Sequence, residues 1–238
     1  MSVRNRVVEI VAFAAVATLF LSGCSVAGSE RDSGGMTKEE AFALSFEEQY
    51  LLAGERYVAT NEVMAELQRE IFTDEWEDGG TSEELVPGSG FSLNADLKTD
   101  DRENSYFFSV SRVHSSGGRT DELIRAAAAS WESKGWDARI EEQLSIIRAV
   151  ADTPDGYWVE AKGTADEFIL TVSSPVYWGE QFAFGRAIVV RRDAEEEAGV
   201  PGATVARDPE TNRARFLPGQ YRPFPAWDAV PEGTVTPE

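Results

Sequence analysis

Apolar positions along this chain recur with two different periods, and the switches between them lay out the expected elements. Residues 37–75 carry one series at Leu44, Leu51, Val58, Ala65 and Phe72 and a second at Tyr50, Tyr57, Met64 and Ile71. Each repeats every seven residues, and the two lie one residue apart. They therefore merge into one broad helical stripe suited to packing on a core, rather than the split seam of a coiled coil. Thr37 with Glu40 forms an N-terminal capping box, and Gly54 is a candidate break or kink.

Residues 77–90 are acidic and glycine-rich and read as a loop. Phe91, Leu93, Ala95 and Leu97 alternate with polar residues. Tyr106, Phe108 and Val110 do the same beyond a turn at 100–104, which predicts a hairpin. A second helix is predicted over 120–134, with Thr120 as its cap, Asp121 and Glu122 in the first turn, and Leu123, Ala127 and Trp131 on one face. Gly135 sits where a left-handed residue ends a helix, and Trp131 and Trp136 are placed to make the apolar contact of a Schellman end. Strands follow at 136–140, 145–151, 157–161 and 168–172. Thr153-Pro154-Asp155-Gly156 makes a turn among them. Residues 181–192 read as one more alternating strand. The predicted class is α+β: a long N-terminal helix and a second helix packed on a mainly antiparallel sheet.

The first 24 residues follow a different pattern. Arg4 and Arg6 precede an apolar run from Ile10 to Leu21, interrupted only by Thr18 and followed by Ser22, Gly23 and Cys24. A positive start, a short apolar run and small residues form the layout of an export signal. A membrane-crossing helix would need about 20 apolar residues. Leu21-Ser22-Gly23-Cys24 resembles the lipobox of bacterial lipoproteins. That resemblance implies cleavage before Cys24, lipid on its sulfur and new amino group, and a place on the extracytoplasmic face of the cell membrane. Two or more acyl chains give stable anchoring. Cys24 is the only cysteine, so no disulfide, thiolate nucleophile or cysteine metal site is expected after lipidation. The expected organisation is a signal peptide at 1–23, a lipidated tether at 24–36, an α+β domain at 37–192, and an acidic then Pro/aromatic-rich extension at 193–238.

Part of the domain carries a second resemblance. A helix ending in Gly135-Trp136, Trp/Tyr-rich strands and Ser173-Ser174-Pro175 make residues 105–178 similar to uncharacterised actinobacterial lipoproteins of the LppA type. Many of that group have a cysteine near the Ser-Pro end, where this chain has Val176. The resemblance implies no functional residue.

Charge removes whole classes of partner. The chain carries a net −20. Loss of residues 1–23, with two arginines and one glutamate, leaves about −21, a balance that does not bind phosphate backbones and excludes nucleic acid. It also repels an anionic membrane surface. Residue counts remove several chemistries. His114 is the only histidine, so no HExxH zinc site is available. No lysine follows a glycine, and neither GxSxG nor SxxK occurs. An EF-hand begun at Asp74 fails because Trp76 and Leu85 fall on ligand positions; a looser acidic calcium site within 74–84 stays open. His114 reads as an exposed loop residue or, with a distant nucleophile, part of a Ser-His-Asp site. No cofactor and no metal is expected.

Tyr221, Phe224 and Trp227 recur every three residues, with Val230 in step. Pro223 and Pro225 favour polyproline II, whose three-residue turn lines these side chains along one face. That face suits either the domain's own surface or docking into a partner's groove. The expected function is a non-enzymatic binding or scaffolding role in the cell envelope. The membrane, reached through lipid on Cys24, and an envelope protein are the expected partners. A carboxylate-based hydrolase and a carrier of apolar cargo are the alternatives.

Overall fold

A computed structural model describes residues 30–79, 84–88, 103–143 and 146–230. The expected signal segment, Cys24 and the strand expected over Phe91–Leu97 lie outside the described residues. In chain order the elements are α1 (Lys38–Ala43), α2 (Phe46–Ile71), β1 (Trp76–Asp78), β2 (Glu84–Pro87), β3 (Ser105–Ser115), α3 (Thr120–Ser133), β4 (Asp137–Gln143), β5 (Ile146–Asp152), β6 (Trp158–Gly163), β7 (Glu167–Ser173), β8 (Tyr177–Trp178), α4 (Gln181–Glu197) and β9 (Arg215–Phe216). A single turn of 3₁₀ helix covers Trp227–Ala229. The class is α+β, helices against a large antiparallel sheet.

The sheet runs β4-β5-β6-β7-β3-β1-β9, and every pairing is antiparallel. β3 is its organising strand: β7 and β8 pair along one edge, β1 and β2 along the other. Alternation then assigns the two faces. Val110, Leu170, Val172, Val159, Ala161, Ala149 and Ala151 pack beneath α2 and α3, whose Met64, Leu67, Ile124, Ala127 and Trp131 complete the main core. The opposite face carries polar cross-strand pairs. Ser111 meets Thr171 at 2.9 Å, and Arg148 bridges Glu141 and Glu160 at 2.6 and 3.1 Å.

The predicted helix over 37–75 is two helices. Thr37 and Glu40 exchange the expected capping bonds, but Ser45 and Glu48 form a second capping box about two turns further on, and Leu44 between them is extended. Two reciprocal boxes so close together divide the segment, because each satisfies the free N–H groups of its own helix start. α2 runs unbroken through Gly54, so the helix has no break there. The apolar stripe it buries is Tyr50, Ala53, Tyr57, Met64, Ala65 and Leu67, with Ala65 from the first series. Leu51, of that same series, is exposed.

The segment read as tether is partly folded. Arg31 bridges Thr37, and the Asp32 amide donates to the Met36 carbonyl at 2.8 Å. Asp32 is only 4% exposed. Its carboxylate accepts from the Met36 and Trp178 amides at 3.0 and 3.1 Å and lies 3.5 Å from the Arg56 guanidinium. Arg56 in turn donates to the Tyr106 hydroxyl at 2.7 Å and stacks 3.9 Å above the Tyr177 ring. A carboxylate taken out of water needs such partners, so residues 31–36 belong to the domain.

The second helix ends as expected. Gly135 is left-handed at φ +79°. The Trp136 and Gly135 amides donate to the Trp131 and Glu132 carbonyls at 3.1 and 2.9 Å, the two bonds of a Schellman end. At its start, Thr120 is the first helical residue and Arg119 takes the cap position, without a side-chain bond. The Thr120 hydroxyl instead donates to Ser116 at 2.7 Å.

The strand predicted over 181–192 is helix α4. Its buried residues, Gln181, Phe184, Ala187, Arg191 and Glu195, are three or four apart. Phe182 and Val189, seven residues and two helical turns apart, are 55% and 57% exposed and share the outer face. Ala183, Ala194, Arg186, Arg192 and the Glu196–Glu197 end of the segment are good helix formers. A boundary at 192/193 falls inside this element. The acidic 77–90 loop likewise contains β1 and β2, with Trp76 and Asp78 buried.

Candidate functional site

The C-terminal strap lies on its own domain. Tyr50 and Tyr57, two helical turns apart on α2, donate their hydroxyls to the Pro225 and Arg222 carbonyls. The Phe224 ring sits 4.9 Å from Tyr50 and 5.4 Å from Tyr57, Trp227 5.3 Å from Tyr50, and Tyr221 5.8 Å from Tyr57. From α4, buried Arg191 stacks between Trp227 and Tyr50 at 4.0 and 4.9 Å and donates Nε to the Trp227 carbonyl at 2.9 Å. Glu195 accepts the Ala226 amide at 2.8 Å. Burial lowers the pKa of the Arg191 guanidinium and raises that of the Tyr50 phenol. The ring face offered for partner docking by Tyr221, Phe224 and Trp227 is thus occupied by α2 and α4.

Seating the strap creates a cleft beside α2. Its volume is about 1030 Å³. Val58 and Ala59 form one wall, and Phe216, Tyr221, Pro223 and Phe224 the other. Glu55 and Glu62 stand on the helix side of the rim, Gln220 and Arg215 on the opposite side. Two of the three strap aromatics therefore contribute to a surface, but as part of its wall.

A second cavity, of about 470 Å³, lies between α4 and the chain returning to β9. Arg192, Arg207 and Arg222 line it, with Asp78 and Glu196. Arg222 pairs with Glu196. Arg207 donates to the Asn212 carbonyl at 2.9 Å and has no carboxylate partner among the described residues. Asp78 is buried, 4.0 Å from the buried Arg112, whose guanidinium packs 4.7 Å from the Phe216 ring. The two cavities share Thr204, Val205 and Phe216 as a common wall.

A third cavity, of about 580 Å³, surrounds His114. The histidine is in β3, not in a loop, and its side chain is only 13% exposed. It stacks 3.8 Å from Phe72, with Nε2 3.0 Å from Asp74 and Nδ1 2.7 Å from the Ser115 carbonyl. Two of its acids are engaged by arginine: Arg213 bridges Glu77 and Glu167 at 3.3 and 3.0 Å, and Arg215, also in the lining, joins Asp208 at 3.0 Å. Backbone N–H groups of Thr211 and Glu210 hold the Asp208 carboxyl below its usual range. Among the described residues no group of three or more His, Cys, Asp or Glu side chains is arranged to hold a metal ion, and no helix is long and apolar enough to cross a membrane.

Comparison of the chain with family models, with curated proteins and with solved structures finds no match. Sequence reading missed both the cleft wall on α2 and the arginine cavity. The signal was present as seven arginines between 186 and 222 in an otherwise acidic chain, but their convergence depends on α4 being a helix.

Proposed function

We propose that this chain is a lipoprotein held on the extracytoplasmic membrane face through Cys24, and that its domain binds an apolar ligand in the cleft beside α2. The cleft carries this reading. Its volume of about 1030 Å³ matches that of small-molecule sites, about 300–1,000 Å³, and its walls are apolar with a few polar groups at the rim, the usual balance for such sites. The reading takes up the carrier alternative and calls for no cofactor and no nucleic acid. Asp32 sets the geometry of anchoring. Seven residues lie between it and Cys24, and the Cα steps of about 3.3–3.6 Å reach at most about 30 Å. The docked N-terminal segment therefore faces the membrane, while the acidic surface is repelled by anionic lipid.

Two measurements test the two halves. Cys24→Ser should move the protein from the membrane fraction to the soluble fraction; retention in the membrane would refute the anchor. An environment-sensitive apolar dye should bind the domain and be displaced by dodecanol, and Ala59→Trp, which fills the cleft, should abolish both effects. Dye binding that Ala59→Trp leaves unchanged would refute the cleft.

A further inference from the structure

We infer that the arginine-lined cavity receives the anionic head of the ligand whose apolar part occupies the cleft, so that the cargo is a single-chain amphiphile ending in a carboxylate or phosphate monoester. This inference rests on the apolar-ligand reading of the cleft. Its first support is adjacency: Thr204, Val205 and Phe216 belong to the walls of both cavities. A ligand following that wall passes from the Val58, Ala59 and Tyr221 surface to the guanidinium groups.

Its second support is charge. The chain as a whole carries −20, yet this cavity gathers Arg192, Arg207 and Arg222 against Asp78 and Glu196. Asp78 also lies beside Arg112, and Arg222 takes up Glu196. Three arginines against two carboxylates make the lining net positive, and Arg207, bonded to the Asn212 carbonyl among the described residues, is the guanidinium open to an added anion. Guanidinium groups present planar forks that match carboxylate and phosphate oxygens, and these charge-assisted bonds are the strong ones. A cationic head would meet the same arginines as repulsion. The acids Glu55 and Glu62 stand at the cleft rim, beyond the shared wall.

Titration calorimetry on the full chain carrying Cys24→Ser, which removes the competing lipid, separates the possibilities. The probes are dodecanoate, dodecyl phosphate, dodecanol, dodecyltrimethylammonium and inorganic phosphate. Dodecanoate or dodecyl phosphate should bind at least about tenfold tighter than dodecanol, a margin of about 1.4 kcal/mol, and the better of the two identifies the head. Added salt should narrow that margin. Arg207→Gln combined with Arg192→Gln should erase it and leave dodecanol affinity unchanged. Ala59→Trp should abolish binding of every dodecyl probe.

Dodecanol binding as tightly as both anions, dodecyltrimethylammonium binding more tightly than either, or a margin that survives the arginine variants would each overturn the head assignment alone. Failure of dodecanol together with all the other dodecyl probes would overturn the cleft reading and this inference with it. Binding of inorganic phosphate at the same affinity as dodecyl phosphate would show an anion site unconnected to the cleft, and would also overturn the inference.

Discussion

Gly54→Ala is a decisive perturbation of the strap, because its effect changes sign with the residue opposite. Gly54 lies in the interior of α2, where alanine is worth about 0.8–1.0 kcal/mol more than glycine. Taken alone, the substitution should stabilise. A Cβ built on Gly54, however, falls 3.0 Å from Phe224 Cδ1 and 3.4 Å from Cε1. The ring cannot retreat freely, since Tyr50 and Tyr57 flank it and their hydroxyls hold the Pro225 and Arg222 carbonyls on either side. Overpacking of this kind costs about 1–3 kcal/mol, so the wild-type background should show no gain or a net loss of up to about 2 kcal/mol. With Phe224→Ala the clash disappears, and the same Gly54→Ala should stabilise by about 1 kcal/mol. For a domain of this size each kcal/mol moves the melting temperature by about 2–4 °C. Urea denaturation of the four proteins in the cycle gives the coupling energy directly. If Gly54→Ala stabilises both backgrounds equally, Phe224 is not seated on α2 and the cleft loses its outer wall.

Three further outcomes follow from the same contacts. Asp32→Ala leaves Arg56 buried without its counter-charge, which should cost about 3–5 kcal/mol; a fall below about 1 kcal/mol in urea denaturation would show that residues 31–36 are not docked. Gly135→Ala should cost about 1–2 kcal/mol, because a side chain at φ +79° is strained even where open space surrounds the Cβ; a melting temperature equal to wild type would refute the Schellman end. Burial raises the phenol pKa values of Tyr50, Tyr106 and Tyr177. Their stabilisation is therefore present below the unfolded value of about 10 and lost as pH climbs toward the folded values. Glu40 and Glu48 are shifted the opposite way, chiefly by hydrogen bonds from Thr37 and Ser45, so their contribution is present above about pH 4.5 and lost as pH falls through the folded values. Melting followed by circular dichroism should show decline on both sides, and a melting temperature still constant at pH 11.5 would contradict the burial of the three tyrosines.

Features set by near neighbours were legible in the chain. The Thr37–Glu40 box and the Gly135 end appear in the structure with the residues assigned to them, because a cap is decided by residues within one turn. The strands at 136–172 were legible for a similar reason: alternation records which face meets the core, whatever covers it. Legibility failed where a local signal had a local competitor. Ser45-Phe46-Glu47-Glu48 lay inside a longer apolar repeat, and the repeat concealed a second helix start. Phe182, Phe184, Ile188 and Val190 fall in step by coincidence, and only the burial of Phe184 and Ala187 beside exposed Phe182 and Val189 shows the helix.

The sequence by itself determined the α+β class, the helix caps, the core-facing positions of the strands and the strongly acidic charge balance. Each of these depends on composition or on residues a few positions apart. Tertiary structure alone decided where residues 31–36 and 221–227 go. Asp32 meets Trp178 across 146 residues of chain, and Tyr50 meets Pro225 across 175. Contacts of that span leave no periodic trace, because neither partner's spacing along the chain depends on the other. The cleft and the arginine cavity are products of the same closure: their walls come from α2, α4 and the returning chain, and no stretch of sequence holds both sides of either one.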